Sequence, residues 1–248
     1  MSAAPTENDR REENEGREQA VGGQLGANSD LEYESELYGG APIKADQEWA
    51  NALTHAVAAA VSVVAGVYLV IIAAPIQTGL AVACAAYMLS VTATFLFSSL
   101  SHVIHRQPTL NTLRAWDQAL IYTMISGTYT PIIYVYAPDQ VRAPLLAAIW
   151  IAAFVGFVHK VAIRHRINSI GTLSYVLLGW LPAIPLVGSV PSPLAWCMAA
   201  GGVIYTLGVL CLINDSRVRY MHAVWHLFVI AAAMCHFFGI LFYVVLRW

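Results

Sequence analysis

Two histidines four residues apart, His222 and His226, stand in the run Met221-His222-Ala223-Val224-Trp225-His226. On a helix they share one face, about one turn apart. Such a pair presents two imidazole nitrogens at little entropic cost, which is a start on a zinc site. The pair opens an apolar run that continues to Leu246, so it stands where lipid meets water. Ionisable groups at that depth are costly and read as functional. Ser98 and His102, also at i and i+4, close another apolar run, and Asp117 is the only carboxylate within an expected span. A zinc ion held by His102, His222 and His226 would partner that aspartate, directly or through a water. Three nitrogens plus water is the arrangement of catalytic rather than structural zinc. The alternative makes His102 an interhelical hydrogen bonder and pairs Asp117 with Arg114.

These residues need elements to bring them together. About 20 apolar residues cross a bilayer as a helix. The chain holds seven segments of roughly that size: Ala50–Ala74, Gly79–Val103, Trp116–Tyr136, Ala143–Val161, Ile170–Val187, Pro193–Ile213 and Met221–Leu246. Gly127 and Pro131 interrupt the third, and Pro182 and Pro185 kink or break the fifth. The expected fold is an all-α integral membrane protein, a seven-transmembrane helix bundle. Arg106, Arg114, Lys160, Arg164, Arg166, Arg217 and Arg219 lie in loops on one side, against Arg142 and Arg247 on the other. That bias puts the N-terminus in the cytoplasm and the C-terminus outside. On the same topology His55, His102, Asp117, His222 and His226 all come out on the cytoplasmic side, which charge counting alone did not require. Trp49, Trp116, Trp180 and Trp248 near the expected ends fit interfacial belts.

Composition agrees. Of 248 residues, 58% are hydrophobic and 11% charged, against about a quarter charged in soluble domains. Residues 1–48 hold 12 acidic and 4 basic side chains, and the remainder 3 and 9. The first stretch cannot bury enough apolar surface to fold alone. Residues 1–47 therefore read as a disordered acidic cytoplasmic tail, without the apolar core of a signal peptide, and 48–248 as the membrane domain. Cys84, Cys197, Cys211 and Cys235 have no CxxC spacing and read as buried hydrophobes. The basic residues form no nucleic-acid patch. The only lysines are Lys44 and Lys160, which excludes a retinal Schiff base in the last helix.

His236 lies 14 residues beyond His222, roughly 21 Å deeper at 1.5 Å per residue, too far to share its metal. It reads as a packing or hydrogen-bonding histidine. His105, His159 and His165 fall at the interface, and His55, after Asn51 and Thr54, suits an outer shell of the site.

Glu48-x-x-Asn51-x-x-Thr54-His55, Ser98-x-x-x-His102, Arg114-Ala115-Trp116-Asp117 with Tyr122, Gly127-Thr128-Tyr129-Thr130-Pro131, Gly179-Trp180 and His222-Ala223-Val224-Trp225-His226-Leu227 together resemble the hemolysin III family. This is the bacterial branch of the progestin and adipoQ receptor superfamily, related to adiponectin receptors and, more distantly, to alkaline ceramidases. The resemblance runs from about Glu48 to the end. It implies a seven-helix bundle with the N-terminus inside and zinc near the cytoplasmic face. His102, His222 and His226 would be the ligands, Asp117 would hold the metal-bound water and Ser98 would support it. Gln118 departs from the pattern, which often has His there.

Three functions follow as expectations. The first is a zinc-dependent hydrolase of a lipid amide or ester, with a membrane lipid as substrate. Zinc lowers the pKa of its bound water to about 7, Asp117 would accept the proton, and Ser98 would donate to the developing oxyanion. The amide rests on the ceramidase resemblance. The second is a receptor-like sensor with structural zinc. The third is lytic or pore-forming activity, against which stands the lack of a ring of charges within the spans.

Overall fold

The computed structural model describes residues 45–163, 169–215 and 217–247. The acidic tail expected over 1–47 lies outside them as far as residue 44, as do Arg164, His165, Arg166 and Trp248. The described chain is all helical: α1 (Ala45–Ala73), α2 (Thr78–Val103), α3 (Thr109–Tyr136), α4 (Asp139–Ile163), α5 (Ser169–Trp180), a 3₁₀ segment (Leu181–Leu186), α6 (Ser192–Ile213) and α7 (Met221–Ile240), which ends in a π turn (Leu241–Val245).

Five stretches are long and apolar enough to cross a membrane: Asp46–Ala73, Thr78–Val103, Asp139–Ala162, Ser192–Ile213 and Met221–Val245. Their outward faces carry large apolar side chains such as Val64, Leu89, Phe154, Trp196 and Leu210, all exposed. Contiguous apolar surface on that scale is not left to water. The protein is a multi-pass membrane protein.

The third expected span differs from the reading above. Gly127 and Pro131 do not interrupt α3, which runs unbroken for 28 residues. A proline ring inside a helix crowds the carbonyl four residues back, and here that residue is Gly127. Around it, Thr130 Oγ1 donates to the Ser126 carbonyl at 2.8 Å, and Ser126 Oγ donates across to the Ile149 carbonyl of α4 at 2.8 Å, tying the two helices together. α3 also begins two turns earlier than expected, placing Arg114 within it alongside Asp117. Its polar residues keep it below the hydropathy of the other long helices. It can carry them because it packs between α2 and α4, with more than half of its residues buried.

α5 ends at Trp180, and Pro182 and Pro185 sit in the 3₁₀ segment, where proline is tolerated better than in an α-helix interior. Twelve α and six 3₁₀ residues extend about 30 Å, one hydrocarbon thickness. Lys160, expected in a loop, is instead in α4 and buried, 4% exposed. α1 begins at Ala45, earlier than expected, and so includes Asp46 and Glu48. It packs against both α2 and α7. The core beneath includes Leu69, Leu80, Tyr87, Ile132, Ile133 and Val244.

Candidate metal centre

The start of α1, the end of α2, the start of α3 and the start of α7 gather at one end of the bundle. There the structure brings together His102, His222 and His226, with one ring nitrogen from each lying within 4.8 Å of the other two. The rings stand edge to face, with centroids 5.1 Å apart for His102–His222, 5.2 Å for His102–His226 and 4.7 Å for His222–His226. In a tetrahedral site with metal–nitrogen bonds near 2.1 Å, ligand nitrogens are about 3.4 Å apart. Holding an ion would draw these three nitrogens in toward that spacing. The trio is positioned to bind a metal ion.

Each Nδ1 is already engaged. His102 Nδ1 meets Glu48 Oε2 at 2.6 Å, and His222 Nδ1 meets Asp215 Oδ2 at 3.0 Å. His226 Nδ1 meets the Asn51 carbonyl at 3.1 Å and Thr54 Oγ1 at 3.1 Å. An acceptor on Nδ1 places the N–H there and leaves Nε2 as the lone-pair nitrogen, the arrangement by which outer partners orient metal-binding imidazoles. His102 Nε2 fits it, being buried with no hydrogen-bond partner among the described residues.

The spacing Glu48, Asn51, Thr54, His55 now has a physical meaning. At i, i+3, i+6 and i+7 these residues form one stripe of α1, which supports His102 of α2 and His226 of α7. His55, 3% exposed, stacks face to face on His226, with centroids 3.6 Å apart and planes 10° apart. The sequence reading assigned no role to Glu48 or Asp215. Helical spacing carried a signal for Glu48 once α1 was begun early enough. Asp215 lies in the loop before α7 and had none.

That loop is fastened to α1. Arg219 pairs with Asp46, Tyr220 Oη donates to Asp46 Oδ2 at 3.0 Å, and Tyr220 N donates to Gln47 Oε1 at 3.4 Å. The Asp46 carboxylate holds the Arg219 guanidinium above its ordinary range. Tyr220 has φ 60°, a left-handed conformation uncommon for a bulky residue, held here by contacts at both its amide and its hydroxyl.

Asp117 is half-buried on α3. Ser101 Oγ lies 3.5 Å from its Oδ2, at the outer limit of a hydrogen bond. Ser98 is buried one turn before His102, and its carbonyl accepts Ser101 Oγ at 2.9 Å. On the far face of α3, Gln118 Oε1 accepts Lys160 Nζ at 3.3 Å and its carbonyl accepts Tyr175 Oη at 2.9 Å. Gln118 therefore ties α3 to α4 and α5. His236 is a hydrogen-bonding histidine, its Nε2 lying 3.3 Å from the Met198 carbonyl of α6. His105 and His159 are exposed.

The profile of the family described as Haemolysin-III related matches residues 43–237. The chain belongs to that family. It is 34% identical over 203 residues to Hemolysin-3 of Bacillus cereus, covering 80% of this chain and 92% of the relative. It is 32% identical over 203 residues to the Hemolysin-3 homolog of Bacillus subtilis (strain 168), covering 80% and 95%. A more distant similarity, 25% over 159 residues, reaches the human monocyte to macrophage differentiation factor, covering 62% of this chain and 67% of that protein. The matched range of this haemolysin-III family chain includes every residue of the histidine cluster and its supports.

Proposed function

We propose that this protein is a zinc-dependent hydrolase of a lipid amide or ester, built on seven transmembrane helices with the metal site near the cytoplasmic face. One observation carries the reading: three imidazoles converge with each Nδ1 occupied, and the Nε2 of His102 is buried without a partner. All-nitrogen ligands suit zinc. Bound zinc would supply Lewis acidity and an acidified water at neutral pH. His102, His222 and His226 would hold the ion, and Asp117 would serve as the proton acceptor. Ser98 would donate to the developing oxyanion. The apolar surround suits an acyl chain and keeps bulk water from the reacting bond. The positive-inside count supports a cytoplasmic N-terminus.

A second reading has its own support. The ligands come from α2 and α7, each of which packs mainly on other helices, so zinc could serve as a brace between them in a receptor-like protein.

Metal content by plasma mass spectrometry, on detergent-purified wild type beside H222A/H226A, comes first. One zinc per chain, absent from the variant, is expected, and a folded, unchelated wild type without metal would overturn both readings. With zinc present, turnover of lipid amides or esters lost in Asp117→Asn selects the hydrolase. No turnover in wild type, together with a bundle that loosens when the ion is removed, selects the brace.

A further inference from the structure

One turn of α1 carries three buried polar atoms that no described residue satisfies. They are Asn51 Oδ1 and both ring nitrogens of His55, on residues 4% and 3% exposed. Asn51 and His55 are four positions apart and share a face of the helix. Both also touch His226, Asn51 through its carbonyl at 3.1 Å and His55 through its stacked ring. The unsatisfied atoms therefore adjoin the metal centre without belonging to its ligand set.

Stacking alone does not account for histidine here. A phenylalanine would lie on His226 as well, as Phe95 lies against His55 on another side, and it would leave no polar atom buried. Unpaired polar groups in a low-dielectric interior are costly and native structures rarely keep them. Their chemistry narrows the occupant. The amide oxygen only accepts, while a neutral imidazole offers one donor and one acceptor. A carboxylate or phosphate, which only accepts, would confront the Asn51 oxygen. An ammonium, which only donates, would confront the imidazole N–H. A neutral hydroxyl both donates and accepts, so it can donate to Asn51 Oδ1 while accepting the N–H of one His55 ring nitrogen.

We propose that Asn51 and His55 form a binding site for a neutral hydroxyl group beside the metal centre, filled either by an ordered water or by the alcohol of a lipid. Only the word "metal" in that statement rests on the function proposed above; the hydroxyl site itself stands on the unsatisfied atoms. If a lipid alcohol fills it, the site anchors the polar end of the lipid next to the histidine cluster and favours lipids carrying a hydroxyl.

The test is a high-resolution structure of the full chain, wild type and His55→Phe, with metal content measured on the same preparations. A compact density peak within about 2.7–3.2 Å of Asn51 and a His55 nitrogen identifies water. Density that continues from that point along a chain identifies a lipid alcohol. Either supports the proposal and names the source, and either is expected to be lost in His55→Phe, whose ring keeps the stack. Wild-type density lacking any such feature overturns the proposal, as does a peak that persists unchanged in His55→Phe. Should the variant fail to fold, the wild-type map decides alone. Density without metal would sink the metal reading and leave this one standing, and metal without density would do the reverse.

Discussion

At the scale of single residues, the histidine cluster is defined as much by its supports as by its ligands. Glu48 holds His102 at 2.6 Å, and both side chains are largely buried, where a charge-assisted hydrogen bond is strongest. Outer-shell partners of metal ligands are typically worth 10- to 100-fold in affinity. Glu48→Ala is therefore expected to weaken zinc binding by about that factor in competition with a chromogenic chelator. Glu48→Gln keeps an acceptor oxygen and should lose less. Equal affinities in all three proteins would show that the pair does not serve the metal. Asp215 is more exposed beside His222, where screening by water weakens the contact, so Asp215→Ala should cost less than Glu48→Ala.

At the scale of elements, the polar helix α3 depends on close approach by its neighbours. Gly156 of α4 lies against the Tyr122 ring of α3, and a Cβ added there would meet ring atoms at 2.6–2.7 Å. That ring is not free to move: Tyr122 Oη shares a 2.6 Å hydrogen bond with Ser174 of α5, and its ring packs on Tyr175 at 4.5 Å. Small residues at such crossings are how membrane helices gain contact. Gly156→Ala should destabilise the bundle by about 1–3 kcal/mol, the usual cost of overpacking. Thermal unfolding followed by tryptophan fluorescence would read this as a lower Tm, and an unchanged Tm would show that α3 and α4 separate easily. Gly127 serves the same close approach, since a Cβ there would run into the Ser90 side chain of α2, and α3 runs on through Pro131 where the sequence suggested an interruption.

At the scale of the whole molecule, the cluster joins α2 to α7 with α1 as the shared support, so metal should stabilise the fold. Ligand binding to the native state at 100 times Kd contributes about 2.7 kcal/mol. If the trio holds zinc as proposed, removing it with dipicolinate should lower the wild-type Tm and leave H222A/H226A unmoved. Equal shifts in both proteins would mean that the chelator acts elsewhere. The sequence by itself determined the membrane class and the approximate extents of the helices, because burial in lipid demands long apolar runs whatever the packing. It also singled out His102, His222, His226 and Asp117, because ionisable groups are rare in such runs and stand out. Only the tertiary structure decided that Glu48 and Asp215 face the histidines, that Ser101 approaches Asp117, that α3 runs through its proline and that Lys160 is buried. Each of these depends on which helix stands next to which. A periodic pattern reports which face of a helix is polar, but not which neighbour that face meets.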